Sequence, residues 1–190
     1  MKRTALCLFV LLSIISYSQA EWISTANSST LQAPELTVQA ENMQAWHVQL
    51  SVPGIGIEPV SIGNEPFDEV YLPDGLPISA EGEPDLPVIA RFIGLQHEGN
   101  PSLEIMTEDW IELDGIYRIP ASRTNDQRTD YALDMLDQDE FLPEQTCTIS
   151  AKQTMGGVRV AVLLINAVKY NPARHKLSVL QNVEFRVHES

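Results

Sequence analysis

The chain has 190 residues, with 12 Lys and Arg against 26 Asp and Glu and a formal net charge of −14. So negative a surface repels phosphate backbones and argues against nucleic acid as a partner. Its two cysteines, Cys7 and Cys147, are too few for a fold built on disulfides.

The first twenty residues read as an address. Lys2 and Arg3 make a basic start, Ala5 to Ile15 is an apolar run too short to span a bilayer, and Ser18-Gln19-Ala20 places small residues before a cleavage point at Glu21. The competing reading is a retained N-terminal membrane helix. Cys7 lies inside the apolar run, which does not fit a lipoprotein anchor. The signal predicts a secreted, extracellular or periplasmic protein with no membrane attachment after removal of residues 1–20. The remaining 170 residues suffice for one domain and carry a charge of about −16, because both signal charges are basic.

Residues 21–45 read as a loose, polar leader leading into a first strand, and residues 46–190 as one β domain. Trp46 to Val52 alternates, Pro53-Gly54-Ile55-Gly56 reads as a break, and Phe67 to Leu72 is strand-like. Pro73-Asp74-Gly75 has turn chemistry. Glu81 to Pro87 holds two prolines and introduces an apolar run, Val88 to Leu95. After the turn Gly99-Asn100-Pro101 come two short runs, Leu103–Met106 and Trp110–Leu113. The acid-dense stretch 126–144 reads as a long surface loop crossing between sheets, and Asp130 to Leu136 offers one short helical turn or two. Gly157 to Val168 is a long β-branched run, Lys169 to His175 a turn, and Lys176 to Val187 alternates with a slip at Leu180-Gln181-Asn182 that implies a bulge. Short strands at regular spacing predict an all-β fold, an antiparallel, jelly-roll-like two-sheet β-sandwich with at most one or two short helices.

No catalytic constellation emerges. His47, His97, His175 and His188 are scattered, and no glycine-rich elbow marks Cys147 as a nucleophile, so a Cys-His enzyme is the weaker reading and a buried apolar cysteine the stronger. Asp126, Asp130, Asp134, Asp137, Asp139 and Glu140 offer the hard oxygens that calcium takes, but without EF-hand spacing a solvated acidic loop fits better. No metal or other cofactor is therefore expected. Gly54-Ile55-Gly56 lacks the third glycine and the helix of a dinucleotide site. Trp22, Trp46 and Trp110 could make a sugar platform, although core packing is the commoner fate of such residues.

The motifs also form an ordered series. Gly82, Pro84, Leu86, Pro87 and Val88 stand in a stretch that resembles the G-x-P-x-L-P-V signature of the propeptides of gingipain-type cysteine peptidases. Ile116 to Ala121 resembles that family's apolar segment ending in Pro-Ala. Gly157 to Val160, followed by Ile165 to Pro172 with Tyr170, Asn171 and Pro172, resembles its Tyr-Asn-Pro hairpin. Leu177 to Val187 resembles the closing strand. A departure is Asn166-Ala167, where the pattern leads one to expect a proline. The resemblance covers about Leu50 to Val187 and implies a secreted prodomain that assists folding of a cysteine peptidase catalytic domain and blocks its active site; that domain, the expected partner, is not in this chain. It also implies an inhibitory loop, for which Arg123 and then Arg128 are the candidates, since an arginine fork suits a carboxylate-lined pocket. On this reading Pro84 sets a turn after Gly82, and Pro87 stands at the strand's first position or on its edge, with its missing N–H toward solvent. The alternative is a non-catalytic β-sandwich module that binds carbohydrate or protein.

Overall fold

The computed structural model describes residues 20–26, 30–122 and 137–189. In chain order the strands are β1 (Glu21–Ser24), β2 (Glu35–Asn42), β3 (Ala45–Ser51), β4 (Gly54–Ile62), β5 (Glu65–Tyr71), β6 (Leu76–Pro77), β7 (Pro87–Gly94), β8 (Pro101–Glu112), β9 (Cys147–Ile149), β10 (Gln153–Met155), β11 (Val158–Asn166), β12 (Val168–Asn171) and β13 (Lys176–Glu189). Among the described residues there is no helix, and the expected helical turn at 130–136 lies outside them.

The strands form antiparallel ladders: β1-β4-β5; β10-β11-β7-β6 with β9 also on β11; and β12-β13-β3-β2 with β8 along the other edge of β13. The architecture is the expected β-sandwich. Alternation decides which face is buried. In β13, Val183, Phe185 and Val187 point inward and are fully buried. Between them Arg186 points out and pairs with Glu41 and Glu104. β11 contributes Leu163 and Ile165, and β7 contributes Ile89, to the same core, and Ala161 on β11 is fully buried as well. Burying each large aliphatic or aromatic side chain there contributes about 1.5–3 kcal/mol relative to leaving it in water.

Local features of the chain explain where the sequence reading held and where it failed. The slip near Leu180 is a true register shift, between Leu180 and Asn182 of β13 in its pairing with β8. The turn at Pro73-Asp74-Gly75 is present, with Asp74 at φ 61 and Gly75 donating to the Leu72 carbonyl. The leader is not loose throughout, since Glu21–Ser24 pairs with Gly54–Ile57, and the first strand expected within residues 21–45 is Glu35–Asn42, paired with β3. The supposed break at Gly54-Ile55-Gly56 is the start of β4. Its glycines make room for neighbours, because a Cβ at Gly56 would fall 1.9 Å from the Tyr71 ring and one at Gly54 2.3 Å from the Ile23 carbonyl. The run at 103–106 and the run from Trp110 as far as Glu112 belong to one twelve-residue strand, β8. Lys169 to Asn171 is strand β12, so only Pro172 to His175 turns.

Candidate functional site

Three stretches of the motif series, Gly82–Val88, Ile116–Ala121 and Asn166–Pro172, meet beside the two segments that flank residues 123–136 in sequence, the outgoing root before them and the returning root after them. Val158–Val160 instead pairs with β10, and Leu177–Val187 runs along β13. The Gly82–Val88 stretch holds the outgoing chain. Gly82, at φ 88, donates its N–H to the Ser122 carbonyl at 3.0 Å, Ser122 donates to Glu83 O at 2.8 Å, and Asp85 donates to Pro120 O at 2.9 Å. Pro84 stands opposite Ala121 in this short antiparallel bridge, between the bonded positions, so its lack of an N–H costs the ladder nothing. Leu86 is buried in the core. Pro87 does open β7, but it is buried and faces Pro77, not solvent. Neither proline has an N–H, and the β7–β11 ladder begins only at Val88. Two prolines can therefore introduce an apolar strand because both stand before its central pairing begins.

The returning chain is held by the stretch Asn166–Arg174. The Leu142 and Tyr170 main chains exchange two hydrogen bonds of 2.8 Å. Asn171 is buried, donates Nδ2–H to Asp139 Oδ1 at 2.9 Å and accepts the Arg174 N–H at Oδ1, also at 2.9 Å. Lys169 Nζ donates to Glu144 O at 2.9 Å, and Asn166 Nδ2 to Gln145 O at 2.7 Å. The Arg174 guanidinium lies 5.8 Å from the Phe141 ring centroid. Pro172 is buried in the turn that follows. The Leu142–Pro143 peptide is cis.

One residue reaches both roots. Tyr170 is 1% exposed, and its hydroxyl lies 2.9 Å from the Tyr117 carbonyl and 2.8 Å from His175 Nδ1. A carbonyl can only accept, so the hydroxyl gives its proton to Tyr117 and His175 Nδ1 carries the proton facing Tyr170. The Tyr117 N–H donates to the His175 carbonyl at 2.9 Å. Burial pushes the Tyr170 phenol up to about 12. Between the roots lies a cleft of about 370 Å³, lined by Ser79, Glu83 and Pro84 on one side and Leu142, Pro143 and Asn166 on the other. Asp85, beside the outgoing root, has its carboxyl raised by burial.

Arg123 and Arg128, the candidates for an inhibitory loop, lie outside the described residues, as do Asp126, Asp130 and Asp134 of the acidic stretch. Of that stretch, Asp139 is engaged with Asn171. Cys147 is buried, and desolvation, with the Glu108 carboxylate adding to it, pushes its thiol up to about 12, the opposite of an activated nucleophile. The histidines have partners of other kinds: His97 Nε2 meets the Met43 carbonyl at 3.1 Å, His188 lies 3.4 Å from Glu104, and His47 lies 3.4 Å from Glu184. Trp22, Trp46 and Trp110 sit on β1, β3 and β8, and Lys169 covers the Trp110 ring at 4.5 Å. Trp46 and Trp110 pack against the core. What sequence reasoning missed is the pairing itself. Gly82–Asp85 binds Pro120–Ser122, and Tyr170 spans both roots, relations for which no local signal exists.

This geometry can be set beside known proteins. The model of the family described as Propeptide_C25 matches residues 26–189. The chain belongs to the Propeptide_C25 family. Among curated proteins, Lys-gingipain from Porphyromonas gingivalis is 24% identical over 133 residues, which is 64% of this chain but 8% of that protein. The chain thus matches a small part of the length of such relatives. Two solved structures share the fold. One concerns the zymogenic latency of gingipain K from P. gingivalis (TM-score 0.76, 18% identity, covering 90% of this chain and 99% of that one). The other is a complex of the pro- and mature domains of P. gingivalis RgpB (TM-score 0.72, 20% identity, covering 84% and 86%).

Proposed function

We propose that this chain is a secreted prodomain that keeps a gingipain-type cysteine peptidase latent and assists its folding, with the catalytic domain as its partner. The observation that carries the reading is the family match along residues 26–189. The geometry supports it, because Gly82–Asp85 and Asn166–Arg174 hold the two described segments that flank residues 123–136 in sequence. Such an arrangement suits a rigid sandwich that presents a chain segment to a cleft, since holding the ends of a segment lowers the ordering entropy lost on binding. The chain itself is non-catalytic on this reading, in keeping with the masked thiol of Cys147. Secretion through cleavage after Ala20 is part of the proposal, and β1 begins at Glu21, the residue that cleavage would expose.

Within the segment, Arg123 is proposed to fill the primary specificity pocket, with Arg128 second. The test has two stages. The reading frame of the gene should encode a His- and Cys-bearing peptidase domain, and this chain should inhibit that domain once matured. Arg123→Ala should then weaken inhibition by about 30- to 4000-fold, the equivalent of losing a buried, charge-paired anchor worth about 2–5 kcal/mol. Arg128→Ala should change it less than about threefold, a solvated arginine contributing little. Equal constants for the wild type and Arg123→Ala remove Arg123 from the role, and a large loss in Arg128→Ala alone transfers it. A chain that does not inhibit leaves the binding-module alternative, for which the apolar groove of about 310 Å³ beside Val38, Trp46 and Phe92 is the place to look.

A further inference from the structure

We propose that Tyr170 is a positioning residue that ties the outgoing and returning roots together and so sets how the prodomain engages its peptidase. The inference rests on the prodomain reading above.

A buried tyrosine whose hydroxyl meets one acceptor is ordinary. Tyr170 does more. Its main chain exchanges two bonds with Leu142 on the returning root, while its hydroxyl holds the Tyr117 carbonyl on the outgoing root. Tyr117 is gripped at both polar main-chain atoms by the same turn, because its N–H goes to the His175 carbonyl. The neighbouring Arg118 is held by Asp68, its N–H donating to the side-chain Oδ2 and its carbonyl accepting from the Asp68 N–H. The outgoing root is therefore fixed to β5 on one side and to the Tyr170–His175 turn on the other. His175 holds the turn in a left-handed conformation, φ 53, and points Nδ1–H at the Tyr170 hydroxyl. Removing the hydroxyl leaves the aromatic packing in place and frees Tyr117 O and His175 Nδ1 together. The two roots would then remain folded but lose their direct tie.

The experiment compares the full chain with Tyr170→Phe and with Val187→Ala, a core truncation at the opposite end of β13. Thermal midpoint and inhibition constant against the peptidase domain of the same gene are read for each. Tyr170→Phe should weaken inhibition by about tenfold, the worth of one lost buried hydrogen bond expressed in binding. Val187→Ala should lower the thermal midpoint at least as much yet leave inhibition within about twofold, since substitutions far apart act independently. Inhibition unchanged in Tyr170→Phe overturns the inference. So does a loss in Val187→Ala as large as that in Tyr170→Phe, since it would mean that inhibition merely follows stability. If Tyr170→Phe does not fold, His175→Asn removes the second half of the tie at a position whose backbone asparagine accepts, and the same two outcomes decide. A wild-type chain that fails to inhibit brings down the prodomain reading; a wild-type chain that inhibits beside an unweakened Tyr170→Phe brings down this inference alone.

Discussion

Where they meet the two motifs, the roots are fastened by different means. At the outgoing root every bond between Gly82–Asp85 and Pro120–Ser122 runs from main chain to main chain. Such a ladder reads backbone conformation, so its requirements are a glycine where φ is positive and prolines where no N–H is called for. At the returning root the bonds come from the side chains of Asn166, Lys169 and Asn171, together with the main-chain pair of Leu142 and Tyr170. Those contacts read chemistry: an amide that both donates and accepts, and an ammonium long enough to reach a carbonyl. The same task is written once in Gly and Pro and once in Asn and Tyr.

Alkali should separate the two roots most strongly. Tyr170 is part of the returning root, and Cys147 follows it directly, opposite Ile165 on β11. Burial raises the Tyr170 phenol from its ordinary 10.0, and the Cys147 thiol from its ordinary 9.0, to about 12 each. The folded chain therefore keeps protons that the unfolded chain has already lost, and stability is full below pH 9 and falls as pH rises toward 12. The slope is about 1.4 kcal/mol per pH unit above pH 9 and about double that above pH 10, where both groups contribute. Urea unfolding at pH 8, 9.5 and 11 measures it. Tyr170→Phe and Cys147→Ala should each flatten the decline by one group's share; a decline unaltered in both variants would place its cause elsewhere. Asp85, beside the outgoing root, acts at the other extreme. Its carboxyl is raised by burial, so its contribution is present below 3.8 and is lost as pH rises through its folded value.

The next largest effect is expected for Asn171→Ala. The substitution leaves the Arg174 N–H without its acceptor and Asp139 without its donor, at a position that is 1% exposed. An orphaned buried donor costs about 1–3 kcal/mol. Hydrogen exchange should accelerate at the Leu142 and Tyr170 amides, on the returning root, and stay unchanged at the Asp85 and Ser122 amides, on the outgoing root. Equal acceleration at both would show the roots to be one cooperative unit and erase the contrast drawn above.

How much of this was legible in the sequence follows from the range of each interaction. Alternation in β3 and β13, the bulge at Leu180–Asn182 and the turn at Asp74-Gly75 are local consequences of local residues, and they could be read. β2 could be read only as an unplaced first strand within residues 21–45, because Leu36, Val38 and Ala40 alternate but its residues are almost all exposed. β4 was hidden by glycines that usually interrupt strands, and here Gly54 and Gly56 admit β1 and the Tyr71 ring. The site was half visible. The residue types of the motifs stood out, but their partners did not. The bond from Asp85 to Pro120 and that from Tyr170 to Tyr117 join segments far apart in sequence, and only the closed sandwich brings them together.

The smallest of these effects sharpens the comparison at the outgoing root. If that root reads conformation and not side chains, Gly82 should be the sensitive position and its neighbour should not. Gly82 sits at φ 88 while its N–H is bonded to Ser122. An alanine there must hold a left-handed backbone, which costs about 1–2 kcal/mol. Glu83 contributes its carbonyl to the Ser122 N–H and is half-buried, so Glu83→Ala leaves that bond intact. Its cost should stay within about 0.5 kcal/mol, the range of substitutions that break no such feature. Thermal unfolding of the two variants side by side measures the difference. A Gly82→Ala chain as stable as the wild type would mean that the bridge tolerates a side chain at this turn, and the outgoing root would then owe its geometry to Pro84 and Pro120 instead. A Glu83→Ala chain as unstable as Gly82→Ala would mean that side-chain chemistry fastens the bridge from Gly82–Asp85 as well, and the division between the two motifs would fall.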